Sequence, residues 1–231
     1  PYSDKPGYSG FLLSDKKHFA DVAQKIADAG FQMNTHAIGD SANREILNVY
    51  AKVLKGKNDF RWRVEHAQVV NQADFKLFAE NNIVPSVQST HATSDMYWAA
   101  DRLGTERVKG AYAFKQLLDQ NGWLVLGTDF PVENINPMYT FYAAVVRKDM
   151  KGFPSEGYQM ENAISREEAL RGMTIWAAKG QFEEKEKGSL EAGKFADFVI
   201  LDQDIMKADP GQLFKTQVVK TFLNGENVYS K

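Results

Sequence analysis

The sequence contains no cysteine, only four histidines in 231 residues, and no excess of charge of one sign, with 28 Lys and Arg against 30 Asp and Glu. Each shortage excludes something. Without cysteine there is no disulfide framework, no thiolate nucleophile and no Cys-type zinc or iron–sulfur site, so any metal must be held by His and carboxylate ligands. A formal charge of −2 argues against a nucleic-acid partner, which calls for a basic face. No run of like charge is long enough to act as a tail. The apolar stretches are short, Phe198 to Leu201 among them, far from the ~20 residues of a membrane helix. No membrane partner is expected, and the chain reads as soluble. The opening PYSDKPGYSG lacks an initiator Met, and it has neither the basic nor the apolar region of a signal peptide. A processed or truncated chain is expected, and cytoplasmic and exported locations both stay open.

What is present suffices for a folded core: 43% of residues are hydrophobic and 12% aromatic, and the length suits one domain or one and a half. From Ser14, a plausible N-cap, the apolar residues Phe19, Val22, Ala23, Ile26 and Ala27 recur at helical spacing up to Gly30. A strand-like run, FQMNTH (31–36), follows. Asp40 is expected to cap a second helix burying Ile46, Leu47, Tyr50, Val53 and Leu54, stopped at Gly56. A second strand is read over 61–66 and a third helix from Asn71 to Asn81. A third strand covers 83–88, a helix 111–120, and a fourth strand 123–129. Two further helices are predicted over 137–149 and 165–179, the second opened by a Ser165/Glu168 capping box. Alternating strands and helices indicate βαβ units and a parallel sheet. After Gly188 the runs become short and β-rich (195–202, 216–225 and 226–230), with Asn224-Gly225 as a hairpin turn. The expected division is an α/β part over 1–187 and a small β part over 188–231. A closed parallel barrel needs eight strand–helix units and typically ~250 residues, whereas this chain supplies four.

Three histidines and one aspartate fall at or just past the predicted C-terminal ends of successive strands: His36, His66, His91 and Asp129. Parallel α/β folds build their active sites at that end. Two imidazoles and a carboxylate can hold Zn, Mn or Fe(II) and leave positions open for water and substrate. Each residue also has a plainer reading. A lone strand-end histidine more often makes a local hydrogen bond, and an Asp after Gly-Thr often shapes a turn. Glu65, next to His66, should point to the opposite side of the sheet by strand alternation, and His18 lies on a solvated helix face. No P-loop, GxGxxG, HExxH or GxSxG occurs, so a Ser/His/Asp hydrolase has little support.

The stretches THAIGDSAN (35–43), WRVEHAQ (62–68), SVQSTHATSDMYWAADRLG (86–104), LGTDFPVENINP (126–137) and GSLEAGKFADFVILD (188–202) together resemble the YtcJ-like branch of the amidohydrolase superfamily, amidohydrolase family 3. The resemblance covers essentially the whole chain, the first four stretches being specific to that branch. It implies the second half of a metal-dependent hydrolase (β/α)8 TIM barrel plus the C-terminal part of a composite β-sandwich. It further implies metal ligation by His36, His66 and Asp129, with Asp129 also shuttling the proton. His91, taken to lie in the loop after the third strand, would contact substrate or stabilise the oxyanion. Trp98, with Tyr97, Met96 and Phe130, is a candidate for lining the substrate pocket, although aromatic residues at such positions more often pack. The implied reaction is metal-assisted hydrolysis of an amide or other C–N bond in a small-molecule substrate. Zinc is the first choice of ion, with manganese and iron as alternatives. The family's N-terminal His-x-His pair and lysine are not in this sequence, so the chain alone is expected to be inactive and to hold metal weakly or not at all. The partner expectation is a separate N-terminal half of the barrel, or a homo-oligomer covering open sheet edges. Two competing readings are a non-catalytic half-barrel scaffold and a complete small α/β domain whose histidines are structural.

Overall fold

The computed structural model describes residues 1–231. In chain order the elements are α1 (Lys16–Asp28), β1 (Asn34–Ala37), α2 (Asp40–Leu54), β2 (Arg63–His66), α3 (Phe75–Asn81) and β3 (Val84–Val87). They continue with α4 (Ser89–Asp95), α5 (Ala99–Arg107), α6 (Phe114–Asn121), β4 (Val125–Leu126), α7 (Pro137–Val146), α8 (Arg166–Met173) and α9 (Ile175–Gly180). The last three are β5 (Phe198–Leu201), β6 (Val218–Leu223) and β7 (Glu226–Ser230). The chain divides into two compact units, one of residues 1–87 and 94–124, the other of 88–93 and 125–231.

In the first unit β1, β2 and β3 form a parallel sheet, with Thr35 opposite Val64 and Val64 opposite Pro85. All four residues of β3 are buried, as a strand covered on both faces requires. The helices pack in series, α1 on α2, α2 on α3 and α3 on α6. Trp62 and Tyr50, both fully buried, meet edge to face at 4.8 Å. The Trp62 indole donates to the Phe31 carbonyl at 3.0 Å. The Tyr50 hydroxyl lies 2.7 Å from Thr35 Oγ1 and within 3.3 Å of the Met33 and Arg63 carbonyls, tying α2 to the starts of β1 and β2.

Two caps differ from the sequence reading. Asp15, not Ser14, caps α1 by accepting from the His18 amide at 2.7 Å. Asp40 is the first helical residue of α2 behind Gly39. Its carboxylate receives the Ser41 amide and the Arg107 guanidinium instead. Arg107 also donates to the Pro1 carbonyl at 2.6 Å, and Arg102 pairs with Asp4, so the first residues are fastened to α5.

In the second unit α7 packs on α8, and both α8 and α9 pack on the short β4. The Ser165/Glu168 capping box is present in both directions. The single helix read over 165–179 is broken at Thr174, whose φ −126°, ψ −96° is not helical. A Cβ on Gly188 would stand 2.8 Å from Ala178 Cβ and 2.9 Å from Ile175 Cα, so only glycine lets the chain pass α9 this closely. Beyond it β5, β6 and β7 form an antiparallel sheet. The β6–β7 turn uses Asn224 (φ 49°) and Gly225 (φ 81°), the two left-handed residues that a tight hairpin needs.

Candidate active site

Within the first unit, His36 and His66 stand at the C-terminal ends of neighbouring parallel strands. The register sets His36 opposite Glu65 and Ala37 opposite His66. By alternation alone the two imidazoles would project to opposite faces, yet the rings meet edge to face with centroids 4.4 Å apart. The backbone supplies the reason, because His66 (φ 73°) and Ala67 (φ 42°) are both left-handed. That conformation is uncommon for non-glycine residues and concentrates at functional positions. The turn takes His66 out of the pleat and lays its ring against His36. His36 is exposed and His66 half-buried. Glu65 accepts from Arg63 at 2.9 Å, in keeping with a structural partner.

The same unit holds a polar knot among the stretches singled out from the sequence. Asp95 accepts from the Tyr112 hydroxyl at 2.8 Å and from the Gln68 amide at 3.1 Å. Trp98 is 47% exposed and Tyr97 57%, so neither is consumed by packing and both can meet a ligand.

In the second unit, Asp129 follows β4 in a left-handed conformation, φ 58°, and its carbonyl accepts from the Val132 amide. His91 lies on helix α4, not in a loop as the sequence reading had it. α4 is anchored where the Ser89 hydroxyl donates to the Thr140 carbonyl at 2.6 Å. The His91 ring is nearly buried. Its Nε2 is 3.4 Å from Asp129 Oδ2 and its Nδ1 is 3.0 Å from Glu133 Oε1. Glu133 escaped the sequence reading, since a carboxylate in a polar loop gives no periodic signal; only its place four residues after Asp129 could have drawn notice. Phe130 is 59% exposed.

The donor chemistry of these residues suits a hard or borderline divalent ion. The imidazoles of His36 and His66 are already in contact, and Asp129 offers a partly exposed carboxylate.

Comparison with known proteins agrees with this chemistry. A profile of the amidohydrolase family, Amidohydro_3, matches residues 1–229. The chain belongs to the amidohydrolase family. It is 37% identical over 235 residues to Protein LONG AFTER FAR-RED 3 of Arabidopsis thaliana, covering 99% of this chain and 39% of that protein. It is 32% identical over 231 residues to YtcJ of Bacillus subtilis (strain 168), covering 100% and 44%. Among solved structures, an uncharacterized metal-dependent hydrolase from Pyrococcus furiosus matches with a TM-score of 0.77 at 32% identity, covering 90% of this chain and 41% of that one. This amidohydrolase chain thus spans 39–44% of the length of the curated relatives it matches. Its mixed α/β fold with a parallel sheet corresponds to the C-terminal part of amidohydrolase-type barrels. No helix is long and apolar enough to cross a membrane.

Proposed function

We propose that this chain contributes the metal-holding and proton-transferring side of a hydrolase that cleaves an amide or other C–N bond in a small molecule. The observation that carries the reading is the edge-to-face contact of His36 and His66 at the ends of adjacent parallel strands. Membership of the amidohydrolase family supports it, and the solved metal-dependent hydrolases at 31–32% identity support the divalent ion.

His36, His66 and Asp129 would hold the ion, with zinc the first candidate and manganese or iron the alternatives. When bound, such an ion lowers the pKa of water and polarises a carbonyl. Asp129 accepts the proton of the attacking water at a carboxylate oxygen and returns it to the departing amine. His91 sits beside that carboxylate and contacts the substrate. Trp98 and Tyr97 offer apolar ring surface to the substrate's organic part.

Zinc titration of the chain, followed by calorimetry and elemental analysis, tests the ligand set. The expected result is binding that His36→Ala, His66→Ala and Asp129→Asn each weaken. Variants that titrate like the parent would overturn the assignment. Release of amine from a panel of N-acyl and formamide compounds that survived complete chelation would overturn the metal-dependent reading.

A further inference from the structure

We propose that Glu133 is a positioning residue that fixes His91 in the Nδ1–H tautomer, so that Nε2 faces Asp129 as a hydrogen-bond acceptor. This rests on the reading that Asp129 works at a hydrolytic centre.

The geometry is confined to one unit and begins with the backbone. Asp129 opens a turn closed by the Val132 amide donating to the Asp129 carbonyl at 2.8 Å, and Glu133 is the residue that follows it. The next residues are locked in sequence. Asn134 Oδ1 accepts from the Asn136 amide at 2.9 Å, and Asn136 Oδ1 accepts from the Met138 amide at 3.0 Å, which caps α7. The loop therefore has little freedom to move either carboxylate.

His91 is held from the other side. Its amide donates to the Gln88 carbonyl, and the neighbouring Ser89 hydroxyl is bonded to α7. A nearly buried ring on an anchored helix is thus set between two carboxylates of one loop.

The two contacts are unequal. Nδ1 to Glu133 Oε1, at 3.0 Å, is a full hydrogen-bond distance. A carboxylate has only acceptor oxygens, so the proton of this contact sits on Nδ1. Nε2 to Asp129 Oδ2, at 3.4 Å, exceeds the usual N–H···O range. With Nδ1 protonated in the neutral ring, Nε2 presents a lone pair. Two acceptors held 3.4 Å apart on rigid elements can share one donor, and an O–H or N–H of water or of the leaving amine is what the proposed reaction brings there. A carboxylate that orients a histidine's working nitrogen through the other one is a common device in active sites.

The test is nitrogen-detected NMR of the histidine rings in the intact chain at pH 8, with His91→Gln used to assign the His91 signals. The expected spectrum has a protonated Nδ1 and a bare Nε2 in the parent. Glu133→Ala should lose that pattern, and Glu133→Gln should keep it, because the carboxamide oxygen still accepts. Where amine release is measurable, Glu133→Ala should lower kcat by about 10- to 100-fold with KM changed less than about twofold, Glu133→Gln recovering most of it. An Nε2–H or doubly protonated His91 in the parent would overturn the proposal, as would a tautomer unmoved by Glu133→Ala. The NMR result does not depend on turnover, so it tests the role of Glu133 separately from the hydrolase reading, which the chelation and zinc-titration results decide.

Discussion

His36 and His66 touch edge to face across 4.4 Å although the sheet register places Ala37, not His36, beside His66. A left-handed residue at the end of β2 makes the contact possible. The pair owes its geometry to a backbone feature at the point where the strand stops.

Removing either imidazole should weaken zinc binding by on the order of 100-fold or more, since even a group that only orients a ligand is worth about 10- to 100-fold. His36→Ala is the cleaner substitution, because His36 is exposed and its loss should leave the melting temperature of the metal-free chain unchanged. Calorimetric titration with zinc, paired with thermal unfolding in chelator, measures both quantities.

Tyr50→Phe should cost about 1–3 kcal/mol at neutral pH, because buried partners of the hydroxyl lose their bond. Burial, above all, pushes the Tyr50 phenol well above its ordinary value, against a smaller opposing effect of the Thr35 hydrogen bond. A folded-state pKa above the unfolded one means the native chain holds the proton longer. Its stabilisation is therefore full below about pH 10 and lost as pH rises beyond it. Urea unfolding at pH 7 and pH 11 should show the parent losing more stability than Tyr50→Phe.

Gly110→Ala should destabilise the first unit by about 3 kcal/mol, the upper end of overpacking costs. A Cβ there would overlap the Val70 carbonyl, and the Gly110 carbonyl accepts from the Val70 amide at 2.9 Å, so neither backbone can withdraw freely. Equilibrium denaturation by circular dichroism is the measurement.

Ser165→Ala should cost about 0.5–2 kcal/mol, the usual penalty for losing an N-cap. The Ser165 hydroxyl receives the Glu168 amide at 3.1 Å, and the Glu168 carboxylate receives the Ser165 amide at 2.7 Å. Glu168→Ala should cost less, as it removes one bond and leaves the cap itself. A denaturation series of the two variants and their double mutant gives the coupling between them.

Much of the first unit could be read from its sequence, because parallel strands and amphipathic helices leave strong periodic traces. The positions of His36, His66 and Asp129 at strand ends were legible for the same reason. α4 was not: STHATSD holds no apolar stripe, and five of its seven residues are buried, so the helix shows no polar face to set a period. The sequence therefore points to a loop around His91. The break at Thr174 is marked only by Gly172 two residues before it, and a single glycine inside a helical pattern is tolerated too often to signal an end. Asp40 illustrates a competing partner, as a good capping residue was drawn to Arg107 instead. The left-handed turns at His66 and Asp129 use residue types that tolerate this conformation better than most, but nothing in the sequence marks these two among the other His and Asp residues, so tertiary structure selects them.

The run from Asp129 to Asn136 works as a ruler. One turn sets the interval between two carboxylates that must reach opposite nitrogens of a single ring, and two side-chain-capped steps then fix the distance to α7. Adding or deleting a residue inside it would slide one carboxylate off its nitrogen or uncap the helix, so among proteins that keep this arrangement the stretch should hold its length even where its residues are exchanged.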